Sequence, residues 1–120
     1  MARKKRKKFR KKISGIIHCT GGGQTKILHF VKNCRIIKNN MLEIPEIFNI
    51  IKQQTNTSWK EMYEVFNMGH RMEIYCNSAL ANEIISISRS FNIEAQIIGK
   101  VEKSDKKELI IESKGIKIEY

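Results

Sequence analysis

The sequence predicts an α+β fold, a mixed or antiparallel sheet with helices packed on it. Three observations predict it. Short β-branched runs stand near both ends of the chain, Ser58–Phe66 and Ser78–Phe91 carry apolar residues at helical spacing, and the chain finishes in two strand-like runs joined by Lys114-Gly115. A length of 120 residues with 41% apolar residues, one Pro and seven Gly fits a single folded domain rather than a disordered or disulfide-stapled chain.

The elements follow in order. Residues 1–12, MARKKRKKFRKK, hold nine of the 23 Lys and Arg and no acid, and they predict a basic tail too poor in apolar surface to order itself. The remainder, 13–120, has 14 basic against 12 acidic residues and is nearly neutral, so the formal charge of +11 belongs to one end. Ile13–Thr20 reads as a β-branched strand running into Gly21-Gly22-Gly23, and Gln24–Lys32 as a helix with Ile27, Leu28 and Val31 on one face. Cys34–Lys38 is a brief strand turned by Asn39-Asn40.

Pro45 suits the first turn of a helix whose stripe is Ile47, Phe48 and Ile51. Ser58-Trp-Lys-Glu61 matches a capping box, opening a helix that buries Met62, Tyr63 and Phe66. Arg71–Cys76 alternates, with Met72, Ile74 and Cys76 expected on the core face. Leu80, Ile84, Ile87 and Phe91 form the stripe expected to turn a helix toward the core. Ile93–Val101, Glu108–Ser113 and Ile116–Tyr120 complete the order βαβααβαβββ, the last two as a hairpin.

The chemistry-bearing segment is Gly21–Gly23, set between a strand end and a helix start. Residues without Cβ atoms turn sharply and let several N–H groups converge on an anion, helped by the positive end of a helix. Alternation puts His18 and Thr20 on one strand face beside that loop and Cys19 on the other, toward the core. By loop chemistry alone a plain strand-to-helix turn is the commoner outcome, since neither G-x-x-x-x-G-K-[ST] nor G-x-G-x-x-G is present. His29 and His70 have no ligand partner at metal-binding spacing, and no metal site is expected. Three cysteines without C-x-x-C spacing, no apolar run of about 18 residues and no leader-like start point to a cytoplasmic protein with no membrane span.

His18-Cys-Thr-Gly-Gly-Gly23, followed by Glu61-Met-Tyr-Glu-Val-Phe-Asn-Met-Gly69, resembles the C-terminal domain of phosphoribosylformylglycinamidine cyclo-ligase (aminoimidazole ribonucleotide synthetase). The similarity runs from about Ile13 to Tyr120 and takes in Ile44-Pro45, Leu80–Phe91 and Ile98-Gly99-Lys100-Val101. The resemblance implies a domain working in ATP-dependent closure of the imidazole ring from formylglycinamidine ribonucleotide in purine synthesis. It implies that His18, Thr20, Gly21, Gly22 and Gly23 contact the substrate or a phosphate, with His18 as a catalytic candidate, and that Asn67 and Gly69 line the cleft. It also implies ATP and magnesium held mainly by an N-terminal domain that builds a homodimer. The acidic and glycine-rich motifs of that part do not occur in this sequence, so turnover is expected only with an ATP-binding partner. The competing expectation is a non-enzymatic scaffold whose basic tail binds RNA or other polyanions without sequence preference.

Overall fold

The structure is a computed structural model that describes residues 12–120, so the basic run lies outside the described residues except for Lys12. The fold is α+β with mixed sheets and the expected element order, the first helix being a 3-10 helix. The described chain divides into two compact units, one built from His18–Arg71 with Ile98–Tyr120, the other from the residues up to Ile17 with Met72–Ile97.

In the first unit a four-stranded sheet runs β4-β2-β5-β6, with β2 at Cys34–Lys38, β4 at Gly99–Lys103, β5 at Glu108–Ser113 and β6 at Ile116–Glu119. β2 pairs antiparallel with β4 and parallel with β5, placing Ile36 opposite both Val101 and Leu109. β5 and β6 are antiparallel, with Ile111 opposite Ile118. Ile36, Leu109, Ile111 and Ile118 are buried there, each side chain contributing about 1.5–3 kcal/mol through lost water contact. The hairpin turns at Lys114 (φ 52°) and Gly115 (φ 73°), the paired left-handed conformations of a two-residue turn whose twist matches the strands. Arg35 on β2 reaches across the ladder to Glu108 at 3.0 Å and to Glu102 at 3.8 Å. The Ser104 hydroxyl donates to the Glu108 carboxylate at 2.8 Å and, with help from Arg35, holds that carboxyl below its ordinary range against the opposing effect of burial.

The same unit carries the 3-10 helix Gly23–His29, helix α1 at Glu46–Thr55 and helix α2 at Trp59–Val65. Pro45 sits at the N-cap of α1 rather than within its first turn, and α1 ends where Asn56 takes φ 53°. No residue of α1 is buried: Ile47 and Ile50 are exposed, and Phe48 meets Phe66 with ring centroids 5.8 Å apart. Ser58 caps α2, accepting from the Glu61 amide at 3.2 Å, and Met62 and Tyr63 are buried as the apolar stripe requires.

The second unit holds β1 at Ile13–His18, whose last residue falls in the first unit, and β3 at Met72–Cys76, paired as a two-stranded sheet. It also holds helix α3 at Ser78–Ser90, capped by the Asn77 side chain accepting from the Ala79 amide at 3.0 Å. Here the expected faces are corrected. On β3 it is Glu73 that is buried, at 5% exposure and hydrogen-bonded by the Tyr75 hydroxyl at 2.8 Å, while Met72 and Ile74 face outward. On α3 only Leu80 is buried, and Ile87 and Phe91 stand exposed. The reason is shared: a two-stranded sheet and one helix offer too little surface to cover both apolar faces.

Two boundaries also move. The strand expected over Ile93–Val101 begins only at Gly99, because β2 has five residues to pair and its last one, Lys38, stands opposite Gly99. A Cβ on Gly99 would lie 1.8 Å from the Ile37 carbonyl oxygen, so glycine is required for this close crossing. The first strand stops at His18, where the Thr20 amide turns back to the His18 carbonyl at 2.8 Å.

Candidate functional site

The triple glycine leaves β1 through three consecutive positive φ values, 40° at Gly21, 98° at Gly22 and 50° at Gly23. Only glycine takes such a run at little cost. Crowding differs sharply along it. A Cβ on Gly21 would meet nothing within 4 Å, whereas one on Gly23 would lie 2.5 Å from the Phe66 carbonyl oxygen and 2.7 Å from that of Tyr63. Gly21 is exposed, Gly22 half-buried and Gly23 buried against the end of α2. Among the described residues, the Gly21 and Gly22 amides donate to no backbone carbonyl.

The turn is bound to its surroundings by side chains. Thr25 closes it, its amide and hydroxyl both donating to the Gly22 carbonyl, at 3.0 and 2.8 Å. The Lys26 ammonium donates to the His18 carbonyl at 2.9 Å, tying the strand end to the 3-10 helix. Gln24, buried at 1% exposure, donates from its amide nitrogen to the Asn67 carbonyl at 2.7 Å. Lys38, equally buried at the end of β2, donates to the backbone and side-chain oxygens of Gln24, both at 2.9 Å.

The second motif forms the facing turn. The Asn67 side-chain oxygen accepts from the Gly69 amide at 2.8 Å, and its carbonyl accepts from the His70 amide at 3.0 Å. Gly69 takes φ 94°, and a Cβ there would lie 2.7 Å from Pro45 Cδ. His70 is buried and its Nε2 accepts from the Leu42 amide at 3.1 Å, a structural role. The structure thus brings Gly23 and Gln24 against Phe66 and Asn67, joining the two motifs into one surface.

The remaining sequence-predicted residues fall as follows. His18 and Thr20 are exposed, but Thr20 lies past the strand end, so their common face is not that of a continuing strand. Cys19 is buried at 2% exposure, its amide donating to the Arg71 carbonyl at 2.9 Å, as a core-facing thiol should be. The helix after the glycines is a 3-10 helix of seven residues, in place of the α-helix expected over Gln24–Lys32, and adds little macrodipole to the turn. Gln24, Lys26 and Lys38 were not among the expected site residues. Lys38 was legible by alternation, since it shares a strand face with the inward Ile36.

Nearby, the Tyr63 hydroxyl donates to Ser113 at 3.1 Å, and burial pushes its pKa up against the opposing pull of that hydrogen bond. The Tyr120 hydroxyl donates to the Lys60 carbonyl, and its pKa is raised by burial first and then by Glu64 and Tyr63. The Trp59 ring stands 6.4 Å from that of Tyr63, with the Lys52 and Lys114 ammoniums 4.8 and 5.2 Å from its centroid. An open hollow of about 520 Å³ at Trp59, Lys60 and β6 includes none of the sequence-predicted site residues. Among the described residues no three His, Cys, Asp or Glu side chains are grouped to hold a metal ion, and no helix is long and apolar enough to cross a membrane.

A glycine turn is thus buttressed by a second, glycine-ended turn on a mixed α+β scaffold. Comparison with known proteins gives the family. A family model described as AIR synthase related protein, C-terminal domain, matches residues 1–112, and the chain belongs to that family. It is 38% identical over 96 residues to the phosphoribosylformylglycinamidine cyclo-ligase of Syntrophus aciditrophicus (strain SB), covering 78% of this chain and 28% of the relative. Over 90 residues it is 36% identical to the enzyme of the same name from Methanococcus vannielii, covering 75% of this chain and 26% of the relative. Over 104 residues it is 35% identical to that of Carboxydothermus hydrogenoformans, covering 83% and 30%. The chain therefore spans less than a third of the length of these curated relatives.

Proposed function

We propose that this chain supplies the substrate-binding wall of an ATP-dependent phosphoribosylformylglycinamidine cyclo-ligase acting in the cytoplasm. In that reaction ATP phosphorylates the formyl oxygen of formylglycinamidine ribonucleotide, an internal nitrogen attacks the activated carbon, and phosphate leaves as the imidazole ring of aminoimidazole ribonucleotide closes. The observation that carries the reading is the bond from Gln24 to Asn67, which holds the two motifs shared with the family against one another. The Gly21 and Gly22 amides, with the Thr20 hydroxyl, are the donors for a phosphate oxygen, and His18 stands beside them for a hydrogen bond or a proton. Asn67 and Gly69 border the ribonucleotide.

Among the described residues no three His, Cys, Asp or Glu side chains are grouped for magnesium, and ATP and magnesium are assigned to an N-terminal part. That part is also the occupant for the apolar surface of the second unit, where Ile16, Met72, Ile74, Ile87 and Phe91 are all exposed. The chain matches 26–30% of these relatives' length, and the proposed cover is the region they carry beyond that span. The test is complementation: adding the rest of a curated relative should restore ATP-dependent ring closure that the chain lacks alone. His18→Ala and Thr20→Val, both at exposed positions, should lower it at least about tenfold by removing a hydrogen bond to a charged group. Unchanged activity in both variants would remove the proposed site, and failure of Ile74→Lys to weaken the complex would remove the proposed face.

A further inference from the structure

A lysine at 1% exposure at the end of a strand is an unusual element of a small sheet, because an ammonium taken out of water carries a large desolvation penalty. Lys38 meets it by donating to both oxygens of Gln24, at 2.9 Å each. That contact fixes the orientation of the Gln24 amide, since an ammonium only donates and the Asn67 carbonyl on its other side only accepts. From Asn67 the chain of bonds continues to the Gly69 and His70 amides, and from His70 Nε2 to the Leu42 amide. One cation thus stands at the root of a buried polar relay through the two turns that carry the family motifs.

We propose that Lys38 is a positioning residue: by clamping Gln24 it sets the spacing between the Gly21–Gly23 turn and the Asn67–Gly69 turn, so that both walls of the ligand site are in place before ligand arrives. The proposal rests on the functional reading above for its ligand, and on hydrogen bonds alone for its mechanics. Its action runs through Gln24, which distinguishes it from a side chain that merely fills the core. In a relay, removing the first link or the second releases the same distal turn, and removing both releases it no further.

The experiment is site-resolved amide exchange on the 120-residue chain with Lys38→Met, Gln24→Met and the double variant. Each single substitution should speed exchange of the Gly69 and His70 amides, which lie beyond Gln24 and Asn67 in the relay, about tenfold relative to the β5–β6 ladder. In the Gln24→Met background, Lys38→Met should change those amides less than about twofold. Multiplicative effects in the double variant, or an acceleration spread evenly over the unit, would overturn the proposal. Should Lys38→Met fail to fold, Gln24→Met still decides: unchanged exchange at Gly69 and His70 overturns it. In parallel, inorganic phosphate is titrated against the Gly21–Gly23 amide signals. Gln24→Met, which alters no charge, should weaken phosphate about tenfold, and equal affinity would overturn the positioning role. Absence of any phosphate response in the unaltered chain refutes the functional reading, while the exchange cycle continues to decide the relay.

Discussion

Alanine at Gly21 and at Gly23 separates backbone strain from close packing, because both positions have positive φ and only one is crowded. At Gly21 (φ 40°) the added methyl meets nothing within 4 Å, so the expected loss is the left-handed penalty alone, about 1–2 kcal/mol. At Gly23 (φ 50°) the same penalty applies, and the methyl would also stand 2.5 and 2.7 Å from two carbonyl oxygens, both backbone. Neither oxygen can rotate away as a side chain would. The Phe66 and Tyr63 carbonyls belong to the end of α2, so relief requires moving that end or the turn, and overpacking of this kind adds about 1–3 kcal/mol. Gly23→Ala should therefore lose about 2–5 kcal/mol and Gly21→Ala about 1–2, read from urea unfolding midpoints at constant slope. Gly21→Ala should remain folded yet weaken phosphate binding, since its methyl projects from an exposed turn. Equal destabilisation of the two variants would refute the packing argument, and undiminished phosphate affinity in Gly21→Ala would refute the role of that turn as an anion site.

Gly99→Ala should be more damaging still, because its Cβ would lie 1.8 Å from the Ile37 carbonyl oxygen where the β2–β4 ladder begins. Loss of cooperative unfolding, or a drop of more than about 3 kcal/mol, is expected in thermal melts, and a wild-type melt would show that the strands do not cross so closely. The depressed pKa of Glu108 makes a contribution to stability that is complete above the unfolded carboxylate pKa of about 4.3 and is lost as pH falls through the lower folded value. Glu108→Gln should lower stability at neutral pH, where the ionised carboxylate makes its full contribution, and flatten the acid side of the profile, the difference from wild type closing as pH falls through that window. An unaltered acid limb would show that the Ser104 and Arg35 contacts do not favour the ionised form.

Where the chain's own neighbours decide a conformation, the sequence was readable. The Ser58 cap, the two-residue turn at Lys114-Gly115 and the five-residue strand Cys34–Lys38 are each set by residues a few positions apart, and each occurs where the local chemistry requires. The helix after the triple glycine was readable only as a helix. Its first residue, Gly23, packs against the end of α2, a contact between residues forty or more positions apart that no window of periodicity samples. The late start of β4 has the same origin, being set by the length of the strand it pairs with.

The site divides along the same line. Its glycines announce themselves because positive φ is a local demand, and Asn67 with Gly69 reads as a turn for the same reason. Gln24 does not, because a buried polar side chain looks in sequence like any surface one, and only its partner 43 residues away makes burial tolerable; alternation with Ile36 turns Lys38 inward but does not name its partner 14 residues away. The converse error fell on β3 and α3. Amphipathic spacing reports that a face is apolar but not what covers it, and in this chain Met72, Ile74, Ile87 and Phe91 satisfy the pattern while remaining exposed. Periodicity therefore predicts an amphipathic element without predicting its burial, just as a left-handed glycine run predicts a turn without predicting which side chains brace it.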